Sequence, residues 1–428
     1  MTDSVQKKKS FALGWSMIPN AMIGWICFNF YNTVSLNIFM PAIAELWGLE
    51  STAPLLYWNT VGALISCLVT VFGGKLIEKF GAKWVMCISA IIEGIIFFLI
   101  PMVGTLGLCK LLIACNAMTS VLYCQLTTVV IIGNWFPRKK GTILGLVTSA
   151  IILTSLVMLP LFNRATTAWG ITKAMQVFAL FIIAWGVVSI FWVKNSPSMV
   201  GLNPDNEPMT PEEEARLTTA NNSESSWTIL DFFKCPRLIV GAVGWGIVTA
   251  SLMGVSTIII PMMTSNGLSQ TLAVTIASFS GLAGFIGSNV SGIVDGKSGT
   301  IKAAIFVVII LVVGDVLLGL SGTTILMVIG YYCVMLAFGA PNNLYSSQCL
   351  GLVGPQNYAA VFKIFLAVAV IIRATGTSIS GFSLAHFGSY RPAFLFFAVV
   401  NVISIFLIIF SGEKYIPSPE EKKAQSAA

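Results

Sequence analysis

Gly74-Lys75-Leu76-Ile77-Glu78-Lys79-Phe80-Gly81-Ala82-Lys83 is a charged decapeptide set between two long apolar runs. A related pattern returns as Gly292-Ile-Val-Asp-Gly-Lys-Ser-Gly299-Thr-Ile-Lys302, again after the second apolar run of a series. Each segment places a small residue, an acid, a glycine and basic residues at the same point of its series. A chain that repeats one such connection at a fixed place in two series of apolar runs reads as a duplicated unit.

The runs themselves set the class. Of the 428 residues 56% are hydrophobic and 10% charged, where a soluble protein carries about 25% charged residues. A helix needs about 20 apolar residues to cross a bilayer. Stretches of that kind recur over 17–43, 55–74, 84–103, 106–132, 142–162 and 172–193, and again over 238–262, 271–293, 303–320, 324–349, 358–382 and 392–410. The fold expected is all-α: twelve transmembrane helices in two pseudo-symmetric six-helix bundles. The N-terminal bundle covers 1–193, a cytoplasmic linker 194–236, the C-terminal bundle 237–412 and a cytoplasmic tail 413–428. The linker is polar, with Pro204, Pro208, Pro211 and the acidic run Glu212-Glu213-Glu214, a composition that reads as partly ordered.

The net charge of +7 is not a nucleic-acid signal, because the cations cluster on one side of the predicted spans. With the N-terminus inside, that side collects 18 of the 24 Lys and Arg. The opposite side holds only Lys110, Arg164, Lys173 and Arg391. This asymmetry puts both termini and the linker in the cytoplasm of a multi-pass protein of the cytoplasmic (inner) membrane. The run after Lys7-Lys8-Lys9 is too long for a signal-peptide core and reads as an uncleaved first span. The nine cysteines form no C-x-x-C pair, so they read as small buried hydrophobes and not as a metal or disulfide framework. Gly296-Lys297-Ser298 ends like a phosphate loop, but Ser291 stands where the first glycine is required, so no nucleotide-driven pump is indicated. His386 is the only histidine and falls in a predicted outer loop. No enzyme, cofactor or metal chemistry can be assembled from these residues.

Twelve spans in two halves, with Gly74-x-Leu76-x-Glu78-x-x-Gly81-x-Lys83 between spans two and three, resemble the major facilitator superfamily. The resemblance implies a secondary transporter, usually monomeric. It also implies that Gly74, Glu78, Gly81, Lys83 and, in the second half, Asp295 latch the cytoplasmic side in the outward-open state. Asn134-Trp135-Phe136-Pro137-Arg138-Lys139-Lys140-Gly141 and Gly351-Leu-Val-Gly-Pro-Gln-Asn357-Tyr358 are similar to signatures of the oxalate/formate antiporter and monocarboxylate transporter relatives. That narrower resemblance implies symport or antiport of small organic anions, often carboxylates. Span eight lacks the cation found in the oxalate-transporting members, which suits a monoanion or a larger amphipathic acid better than oxalate.

Arg373 carries the substrate assignment. It sits near the middle of an apolar span, where a guanidinium costs roughly 2.5–3.5 kcal/mol on insertion scales. A cation kept there is expected to face a partner, a water-filled cavity or an anionic ligand. Lys363, ten residues earlier, lies roughly 15 Å away along the helix. It can snorkel to water or meet the substrate. Tyr31, Asn32, Tyr123 and Asn343 are the preferred further contacts, from spans expected to line the cavity. Glu93 and Asp315, buried acids in equivalent spans of the two halves, are candidates for a coupling proton or for structural pairing with Arg373. The leading expectation is a carrier of a small organic anion in the lipid bilayer, working by rocker-switch alternating access. A carrier of a neutral or larger amphipathic substrate, such as a sugar, a steroid-like acid or a drug, competes with it. So does a non-transporting membrane sensor.

Overall fold

A computed structural model describes residues 11–207, 227–419 and 421. Lys7 to Lys9, Pro208, Pro211, Glu212 to Glu214, Arg216, Lys422 and Lys423 lie outside the described residues. The described chain is helical, with eleven helices long and apolar enough to cross a membrane and a first span interrupted by a π segment at Phe30–Val34. In chain order these are α1 (12–46), α2 (Ala53–Phe80), α3 (Ala82–Leu99), α4 (Leu106–Trp135), α5 (140–169) and α6 (Ile171–Trp192). Then come α7 (236–265), α8 (Gln270–Ser298), α9 (Thr300–Leu320), α10 (Thr324–Gly354), α11 (355–387) and α12 (Arg391–Ser411). In hydrocarbon every backbone group must be paired within the protein, so helices are the available spanning form.

The two charged segments are not loops. Helix α2 runs through Lys75 and Lys79 to Phe80, and α8 runs through Asp295 and Lys297 to Ser298. Lys, Glu and Leu are good helix formers, so the helices extend past their apolar stretches into water. Each turn is a single glycine. Gly81 has φ +81° and Gly299 φ +90°, and each at once ends one helix and starts the next. The following helix is capped by a side chain from just beyond the sixth helix of the half. Asn195 Oδ1 accepts from Lys83 N at 2.7 Å, and Glu413 Oε2 accepts from Thr300 N at 3.0 Å. The duplication seen in the sequence is therefore carried by the same turn, capped in the same way. His386 lies in the last turn of α11, stacked on Phe382 at 3.9 Å, and not in a loop.

Glycines set the closest helix crossings. A Cβ on Gly62 of α2 would lie 2.1 Å from Ala114 O of α4. One on Gly287 of α8 would lie 1.8 Å from Leu336 O of α10, and one on Gly376 of α11 2.0 Å from Ala250 O of α7. Close backbone approach of this kind is how membrane helices pack where burial adds little driving force. Gly287→Val should wedge α8 from α10 and destabilise the protein by roughly 1–3 kcal/mol. Thermal unfolding in detergent checks this, with Gly292→Ala, where an added Cβ meets nothing within 4 Å, as the neutral control.

Candidate functional site

A cavity of about 610 Å³ opens between α1, α5, α7, α8 and α10. Its polar wall is made of asparagines and hydroxyls, among them Asn29, Asn37, Ser280, Tyr331, Asn342 and Asn343. No Asp, Glu, Lys, Arg or His stands among the described lining residues. Its size falls within the ~300–1,000 Å³ typical of small-molecule sites. Asn343 Nδ2 donates to Ser288 Oγ at 3.1 Å, and Ser280 bonds Tyr331 at 2.9 Å.

The cavity is closed at one end. Hydrogen bonds between the two series of helices gather at the end away from the linker. Thr60 meets Thr377 at 2.9 Å, Ser378 donates to Thr60 at 2.7 Å, and Gln270 donates to Asn163 at 2.9 Å. Asn37 of α1 joins α7 twice. At the linker-bearing end the cavity residues Gly145, Asn289, Gly292, Asn342 and Asn343 are exposed. The chain thus stands open toward the end that carries its linker.

Arg373 sits at mid-depth of α11, half-buried, with Cys67 of α2 and Tyr345 of α10 as its electrostatic neighbours. Among the described residues no carboxylate lies within 4.0 Å of it. Tyr345 connects it to the cavity: the Tyr345 hydroxyl donates to Asn342 Oδ1 on the wall, and its ring stacks on Phe362 of α11 at 5.8 Å. The expected pairing of Arg373 with Glu93 or Asp315 is not made. Glu93 accepts from Thr119 of α4, inside the first set of helices. Asp315 Oδ2 accepts from Ser251 of α7 at 2.9 Å and Asn401 of α12 at 2.8 Å. Both acids are fully buried and neither lines the cavity.

A family-wide sequence comparison matches residues 23–377 to the Major Facilitator Superfamily. The chain belongs to that superfamily. It is a transporter and not an enzyme. No curated protein matches it. Among solved structures it is similar to a D-xylose-proton symporter (14% identity, TM-score 0.69, 95% of this chain and 100% of the other). It is also similar to a bacterial homolog of the human lysosomal transporter Spinster in an inward-facing, occupied conformation (12%, 0.70, 94% and 98%). A nucleoside transporter, NupG, matches at 13% identity with a TM-score of 0.67 over 94% and 100%. At these identities the likeness concerns the fold. The oxalate/formate and monocarboxylate resemblance of the signatures finds no counterpart among these matches.

For a facilitator fold, the placement of the expected site residues is uneven. Asn343 is on the cavity wall. Tyr31 and Tyr123 are not; both are fully buried, Tyr31 donating to Phe178 O and Tyr123 packed on Trp185 at 6.1 Å. Tyr31 lies in a lining span, α1, whereas α4, which carries Tyr123, contributes no residue to the cavity wall; each ring faces the core of its own helix set. Asn32 is turned to Ser120, whose hydroxyl donates to its Oδ1 at 3.1 Å. Lys363 is exposed and away from the cavity. One reason the facing failed is geometric. Segments 30–34, 121–126 and 154–158 form π turns, which rotate every later residue of the helix away from a 3.6-residue wheel.

The facilitator motif residues are placed with the cavity open at their own end. Glu78 is exposed and makes no hydrogen bond or ion pair among the described residues. Gly74 faces open space, and the Lys83 ammonium lies over Trp84 at 5.2 Å. Asp295 accepts from Thr300 Oγ1 at 2.7 Å. Among the described residues these positions make no latch across the halves. The Asn134–Arg138 signature grips the start of the linker. Asn134 donates to Asn195 O at 3.0 Å, Trp135 to Lys194 O at 2.8 Å, and the Arg138 amide to Asp205 Oδ2 at 3.0 Å. An ion pair to Glu207 at 2.7 Å adds to this. The signature's role here is scaffolding, a role the sequence alone did not reveal.

Asp315→Leu leaves the Ser251 and Asn401 donors unpaired in the core and should destabilise the protein by about 1–3 kcal/mol. Asp315→Asn should be milder, and thermal unfolding of the purified protein distinguishes the two.

Proposed function

We propose that this facilitator carries an organic monoanion, a carboxylate with a neutral, hydrogen-bonding body, by rocking one six-helix half against the other. The observation that carries the reading is Arg373, a mid-span guanidinium without a carboxylate partner among the described residues. A charge left uncompensated in that setting is costly, and a planar guanidinium fork suits a carboxylate. The anionic head would meet Arg373 beside Tyr345. The body would extend along the uncharged wall at Asn342 and Asn343. The Lys/Arg asymmetry supports a cytoplasmic linker and termini, which would make the open end the cytoplasmic one. We take the working unit to be the monomer. Glu93 and Asp315, enclosed within the helix sets, are better suited to structural hydrogen bonding than to proton coupling. The charge-free wall favours a second reading, a neutral polar solute, in which Arg373 is structural.

Counterflow in proteoliposomes with a panel of labelled monocarboxylates and neutral sugars separates the two. At least one monocarboxylate should exchange. Arg373→Ala should abolish that exchange while leaving folded protein in the membrane, and Arg373→Lys should retain a small fraction. Exchange of sugars alone, undisturbed in Arg373→Ala, would overturn the anion reading.

A further inference from the structure

Helix α7 is broken, and a side chain from the other half fills the break. Pro261 cannot donate to Thr257 O, so the helix stops at Ser256 and restarts at Ile259, with Ile258 at φ −128°. The bond that the break removes next to the proline is Ile260 N to Ser256 O. The Asn37 amide stands in its place. Asn37 Oδ1 accepts from Ile260 N at 3.1 Å, and Asn37 Nδ2 donates to Ser256 O at 2.8 Å. One amide from α1 thus satisfies two of the groups that the break leaves without a helical partner, in a region where unpaired backbone is expensive. Asn37 and Ser256 also line the cavity, at its closed end.

We infer that Asn37 is the gate residue of the far end and that α7 is its bistable partner. With the amide inserted, α7 is broken and tied to α1. With the amide withdrawn, Ser256 O and Ile260 N can pair with each other, since Pro261 blocks only the bond to Thr257. Both states leave these two groups satisfied, so opening carries no penalty for orphaned backbone in the gate. A two-state element of this kind is what a switching transition requires. The inference does not depend on which solute is carried.

Hydrogen–deuterium exchange of the full chain in nanodiscs, wild type against Asn37→Ala, tests it. The variant should shift the balance toward the far-end-open form. Exchange should rise about tenfold in the far-end segments 53–60, 159–169 and 377–387, as expected for loss of two neutral hydrogen bonds. It should fall at the linker-bearing end, in 140–149 and 339–350, and Ile260 should stay protected by its new bond. Asn37→Ser, too short to span the gap, is read in the same way if the alanine variant does not fold. Faster exchange confined to 256–262, or unchanged exchange at both ends, would overturn the inference.

Discussion

Backbone groups in hydrocarbon have no water to bond, and this constraint organises the molecule. It accounts for the helical form of the described spans. It also accounts for the Asn37 amide lodged in α7. Where two halves of a protein must separate and rejoin, the same constraint limits which contacts can be exchanged. Polar seams such as Thr60–Thr377 and Asn163–Gln270 sit at the closed end. Tight glycine contacts such as Gly62 on Ala114, Gly287 on Leu336 and Gly376 on Ala250 lie within the halves and leave no polar side chain behind when they part.

Against that background Arg373 is the exception. Other buried polar atoms also lack a partner, among them Ser35 Oγ, the Tyr123 hydroxyl and Trp185 Nε1, but those groups are neutral, whereas the Arg373 guanidinium is charged and has only Tyr345 and Cys67 for electrostatic company. Its connection to the cavity runs through Tyr345 and Asn342. Arg373 is not itself among the lining residues; in the proposed reading it supplies a charged corner beside the neutral wall, and the proposed substrate has the same two parts.

The architecture was legible in the sequence because it rests on a long-range pattern. Twelve apolar runs, a central polar bridge and two related charged segments require no knowledge of side-chain direction. Arg373 was legible for the same reason, as a charge in the wrong place. The contacts around the cavity were not. Tyr31 lies in a lining span and Tyr123 in α4, which contributes no residue to the wall, and three π turns change which face a span presents; no residue pattern announces a π turn. Asn37 went unnoticed because a lone asparagine in an apolar span usually packs. The available signal was Pro261 in α7, which marks a helix needing an outside partner. The Asn134–Arg138 signature was visible, but its task of holding the linker depends on residues some sixty positions away.

The most direct test of the central claim is calorimetric titration of the wild-type protein with a transported monocarboxylate and with its primary amide, alike in shape but uncharged. The account predicts that the acid binds about ten- to a hundredfold more tightly, the worth of a hydrogen bond to a charged group. Equal affinity for acid and amide would mean that Arg373 does not meet the substrate's charge, and would contradict the account.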